Sequence, residues 1–112
     1  MPTQIELIDT YRKELSKLRV KVDDALLKGV VKALGPAAYR DDASKISAAD
    51  AVELERVKQN FLVKRLGLPN NGKLDSMLNR AIDRMGRSNR HKSRAVLYYI
   101  LTREAKREAA LL

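Results

Sequence analysis

Seven consecutive residues, Ala95-Val96-Leu97-Tyr98-Tyr99-Ile100-Leu101, are apolar or aromatic without a break. Whatever conformation this run takes, the rest of the chain must cover it on every side. A strand would suit its Val, Tyr and Ile content, but a strand needs a partner, and no other stretch reads as one. A helix needs amphipathic helices around it, and the preceding sequence shows four. The pattern therefore predicts an all-α fold. We expect a single compact domain over residues 1–112, with about five helices and the last helix central.

The four surrounding helices are read from apolar spacing and end signals. Thr3 and Glu6 have capping-box spacing. Ile5, Ile8, Tyr11, Leu15 and Leu18 then recur every three or four residues, with Arg12, Lys13, Lys17 and Arg19 on the opposite face. Asp23 or Asp24 opens the second helix, whose stripe is Leu26, Leu27, Val30, Val31 and Leu34, and Gly35-Pro36 closes it. Gly29 inside it either weakens the helix by about 1 kcal/mol relative to Ala or admits a close neighbour.

Residues 36–39 read as one helical turn and 40–49 as a loop. Asp50 and Glu53 repeat the capping box, with Ser47 as a competing cap. Leu54, Val57, Phe61, Leu62 and Leu66 form the next face, ended by Gly67. A fourth helix carries Leu74, Met77, Leu78, Ala81, Ile82 and Met85, ended by Gly86. Ser88 or Asn89 is expected to cap the last helix, which residues 102–112 should prolong.

Composition removes whole classes. The chain has no Cys, so disulfide scaffolds, thiol catalysis and Cys-ligated zinc are excluded. The longest apolar run is far short of the roughly 20 residues that span a bilayer. Glu6 and Asp9 stand where a signal peptide wants basic and then apolar residues. A cytoplasmic protein is the expectation.

Three stretches together resemble a known family. They are Arg40-Asp41-Asp42-Ala43-Ser44, NFLVKRLGL at 60–68 and RSNRHKSRAVLYYIL at 87–101. Their order and spacing are similar to the bacterial family catalogued as domain of unknown function 2853, over roughly residues 20–101. That family's Gly after the paired tyrosines has no counterpart in 103–112. The resemblance implies a compact helical fold and a bacterial cytoplasmic setting, and it names no catalytic residue.

The charge balance is the main functional signal. Lys and Arg number 23 against 14 Asp and Glu, a net charge of +9. Arg84, Arg87, Arg90, Lys92 and Arg94 fall in one short stretch with no acid among them. Most of them sit at the predicted start of the last helix, where the backbone already carries about half a positive charge. Cations there cost a few tenths of a kcal/mol each unless an anion is present. Exposed N–H groups beside Arg forks suit phosphate. The opposing reading is internal: residues 41–55 hold five carboxylates against one lysine, a net −4 able to neutralise the cluster.

Other features read as structure. A helix-turn-helix over 74–101 is disfavoured by the polar turn Arg87-Ser88-Asn89-Arg90 and by Ile82 where a small residue is wanted. His91 is the sole His and finds no ligand or catalytic spacing around it. Asp41, Asp42 and Ser44 fit turn and capping chemistry, since no calcium-loop spacing follows. Of Tyr98 and Tyr99, at least one is expected in the core.

The resulting expectation is a non-enzymatic helical interaction module, partnered by a second copy as a homodimer or by another protein, with no metal or cofactor. The alternative is polyanion binding, nucleic acid being the obvious case, through the basic start of the last helix. Five phosphates contacted on duplex DNA would give a log K against log salt slope of about −4.5.

Overall fold

Side-chain caps start the first four helices in the computed structural model, which describes residues 3–39, 45–46, 50–86 and 92–112. Helix α1 (Gln4–Lys17) begins at Thr3, whose Oγ1 accepts from the Glu6 N–H at 3.2 Å. The same hydroxyl donates to Glu6 Oε1 at 3.2 Å. Asp23 settles the choice of cap for α2 (Asp24–Leu34): its Oδ1 accepts from Ala25 and Leu26. Asp50 caps α3, which is α-helical over Ala51–Arg56 and π-helical over Val57–Val63. Asn71 caps α4 (Gly72–Met85). Helix α5 (Arg94–Ala105) carries the apolar run. Turns of 3₁₀ helix over Gly35–Tyr39 and Glu108–Ala110 follow α2 and α5.

Helix α5 is central, as its composition requires. It packs against α1, α2 and α4, and Ala95, Leu97, Tyr99 and Leu101 are all 0% exposed. The stripes of α2 and α4 close on it through Leu26, Leu27, Val30, Val31, Leu78 and Ile82. The fold is therefore all-α, with one pair of two-residue strands among the described residues.

That pair corrects the reading of residues 40–49 as loop throughout, while Ala95–Leu101 is helical as expected. β1 (Lys45–Ile46) runs antiparallel to β2 (Lys92–Ser93), with Lys45 opposite Ser93 and Ile46 opposite Lys92. The extended backbone at Ser93 also moves the start of the last helix to Arg94. Ser88 and Asn89 lie outside the described residues, as do Ser47, Asp41, Asp42, Ser44 and His91.

Two further expectations are corrected in part, and the face expected on α3 is present with a different winding. The core face of α1 runs through Leu7, Tyr11 and Leu15, while Ile5 is 80% exposed. The rest of the predicted face holds: Tyr11 and Leu15 are buried and Ile8 and Leu18 pack against the core, so packing adds Leu7 and leaves out Ile5. The second half of α3 widens: Lys64 N–H bonds Gln59 O and Leu66 N–H bonds Phe61 O, each five residues back. Val57, Phe61, Leu62 and Leu66, spaced four and five apart, thereby all reach the core. Finally, Thr102–Ala105 prolong α5 as expected, but the rest of the tail does not, because Lys106 turns left-handed at φ 57° and the chain folds back.

The fold-back explains Gly29. A Cβ built on Gly29 would lie 2.1 Å from the carbonyl oxygen of Leu111, and Leu111 itself is buried. In an open helix, Gly29→Ala would stabilise by about 1 kcal/mol. Here the tail must withdraw, so urea unfolding should show Gly29→Ala as destabilising. In a chain lacking residues 107–112 the same substitution should stabilise by about 1 kcal/mol. The same sign in both backgrounds would exclude the contact.

Lys58 ties α3 to α4, with Nζ 3.0 Å from Glu55 and 3.2 Å from Asp75. These hydrogen bonds hold Glu55 below the ordinary carboxylate range and Lys58 above its usual value.

Candidate polyanion-binding groove

The structure disperses the described members of the basic cluster. Arg84 is exposed in the last turn of α4, and its Nη2 donates to the Arg19 carbonyl at 3.5 Å. Lys92 lies on β2 and is only 3% exposed. Arg94, the first residue of α5, pairs with Glu53 and reaches the Tyr98 hydroxyl at 3.4 Å. Burial pulls the Arg94 pKa down, but the bonds to Tyr98 and Glu53 outweigh it and leave the guanidinium above its ordinary value. Arg87 and Arg90 lie outside the described residues.

At the entry to α5, Lys92, Ser93 and Ala95 are buried and Arg94 is partly exposed. Part of the internal reading also has a counterpart: Glu53, from the acidic segment, meets Arg94, whereas Glu55 turns to Lys58.

Arg84 belongs instead to a groove of about 750 Å³ between α4, α5 and the connection from α1 to α2. Its apolar lining is Val20, Ala81 and Ile100. Around this stand four cations, Lys21, Arg80, Arg84 and Arg103, and two carboxylates, Asp83 and Glu104. Arg80 is tied to Glu104 by contacts of 2.6 and 2.7 Å to one carboxylate oxygen. Arg103 has Glu108 4.0 Å away, and Arg84 has a neutral carbonyl. The groove therefore keeps a positive surplus over an apolar base. Anions are drawn to such a rim, and guanidinium forks bind phosphate oxygens in pairs.

The tyrosines divide as expected. Tyr99 is fully buried, with its hydroxyl between the Lys21 carbonyl and the Asp23 N–H. Tyr98 is half-buried and stacks on Phe61 with ring centres 3.9 Å apart.

Lys21, Arg80 and Arg103 escaped the sequence reading because three separate segments supply them. The one local signal is the four-residue spacing of Arg80 and Arg84, which puts both on one face of α4.

Fold and groove together define a small helical protein with one core and a cationic cleft on its surface. Within that class the chain belongs to the family described as protein of unknown function (DUF2853), which it matches over residues 10–109. The match takes in most of α1 and most of the tail, beyond the stretches that first suggested it. No curated protein matches the chain. Among the described residues, no helix is long and apolar enough to cross a membrane.

Proposed function

We propose that this protein is a non-catalytic cytoplasmic binding module that holds the phosphate backbone of nucleic acid along the groove between α4 and α5. The observation that carries this reading is the surplus of cations around the groove, set on a chain of net charge +9. Self-association is the weaker role. Among the described residues the exposed large hydrophobics are Ile5, Val52 and Leu112, on three different segments. A stable interface buries about 800 Å² per partner around an apolar centre.

Anisotropy of a labelled DNA duplex, titrated at several salt concentrations, tests the proposal. Lys21, Arg84 and Arg103 each meeting one phosphate give a log–log salt slope of about −2.7, with Arg80 already committed to Glu104. Arg84→Glu combined with Arg103→Glu should weaken binding and flatten the slope toward about −0.9. Failure to bind at low salt, or an unchanged slope in the double variant, overturns the reading.

A further inference from the structure

The floor of the groove between α4 and α5 offers a ligand almost no hydrogen bonds. Ala81 is 1% and Ile100 6% exposed, and neither side chain carries a donor or an acceptor. Both lie inside helices, Gly72–Met85 and Arg94–Ala105, so their backbone N–H and C=O groups are used within those helices. Val20, the third floor residue, is half-buried, and its N–H bonds the Leu15 carbonyl at 3.0 Å. The charged groups stand around this floor, with Arg80 engaging one oxygen of Glu104.

The cations govern what crosses the floor. Lys21 comes from the connection between α1 and α2, Arg84 from α4 and Arg103 from α5, so they approach it from three elements. Successive phosphates of a strand are joined through the sugar. A strand whose phosphates sit on these cations therefore carries its sugars over Val20, Ala81 and Ile100. Deoxyribose has only C–H at its 2′ position and can lie against apolar side chains without loss. Ribose has a 2′-hydroxyl, which is both donor and acceptor. Over this floor the hydroxyl gives up water and gains no partner, and that is unfavourable.

We propose, on the reading that this groove holds a phosphate backbone, that its apolar floor selects DNA over RNA by rejecting the ribose 2′-hydroxyl. The selection involves no contact with a base edge and is independent of sequence.

Anisotropy with three duplexes of one base sequence, at one low salt concentration, tests it. The RNA duplex should bind about tenfold more weakly than the DNA duplex. A 2′-fluoro RNA duplex keeps the A-form shape without the hydroxyl, so it should recover most of that loss. Val20→Thr adds a hydroxyl to the floor and should narrow the DNA-to-RNA ratio to about threefold, with thermal unfolding to verify that the chain is folded. RNA bound as tightly as DNA, or a 2′-fluoro duplex as weak as RNA, overturns the proposal and leaves the groove as a phosphate site. A folded Val20→Thr chain with an unchanged ratio does the same. Failure of all three duplexes to bind, or an unchanged salt slope when Arg84→Glu and Arg103→Glu are combined, removes the phosphate site and this selectivity with it.

Discussion

Leu97→Ala is expected to lower the unfolding free energy by about 2–5 kcal/mol, while Ile5→Ala changes it by no more than about 0.5 kcal/mol. Leu97 is 0% exposed on the central helix, so truncation removes apolar contact and leaves a void that the surrounding helices fill only in part. Domains of this size are stable by roughly 5–15 kcal/mol, so the change takes a large share of the total. Ile5 lies 80% in solvent and gives up almost nothing. The comparison is demanding, because apolar spacing alone puts Ile5 on the core face of α1. Urea denaturation with a common m-value decides it: similar losses at the two positions would mean that Ile5 itself is packed in the core. Leu7→Ala adds a check, since Leu7 replaces Ile5 on the observed face.

Those residues also show where sequence stops informing structure. The caps at Thr3, Asp23 and Asp50 were legible because one side chain and a backbone N–H two or three residues on form them. The ends at Gly35, Gly67 and Gly86 were legible because each takes positive φ, which glycine tolerates. The central position of α5 follows from a run with no polar side. Choices settled by packing were not legible: that α1 buries Leu7 and leaves Ile5 in solvent, that α3 widens after Arg56, and where Lys106 turns the chain back onto Gly29.

The groove was legible only through Arg84, since Lys21, Arg80 and Arg103 become neighbours when α5 is laid between α2 and α4. The short β pair escaped notice because two residues per strand are too few for any periodicity. Its effect is nonetheless large. By holding Ser93 extended, it moves the last helix's start to Arg94 and takes Lys92 off the surface.

Tyr99→Phe is expected to cost about 2 kcal/mol of stability and also to weaken the groove. The Tyr99 hydroxyl accepts from the Asp23 N–H at 2.7 Å and donates to the Lys21 carbonyl at 2.8 Å. Burial raises its pKa, so it stays a neutral donor at physiological pH. The ring that replaces it keeps the apolar packing but strands one donor and one acceptor. Each is partly buried, and an unmet group of this kind costs about 1–3 kcal/mol. Water reaching the exposed side of Lys21 and Asp23 holds the sum toward the lower end. The loss falls on the segment that starts α2 and supplies Val20 and Lys21 to the groove. Duplex affinity should therefore fall even well below the unfolding temperature, with the salt slope shallower by up to about 0.9 as the Lys21 contact is lost. Leu97→Ala provides the contrast: at the same temperature it lowers stability more but leaves Lys21 in place, so its salt slope stays at the wild-type value. A Tyr99→Phe chain with wild-type denaturation midpoint would show that the hydroxyl does not hold residues 21–23. A large stability loss with unchanged duplex binding would show that Lys21 takes no part in gripping phosphate.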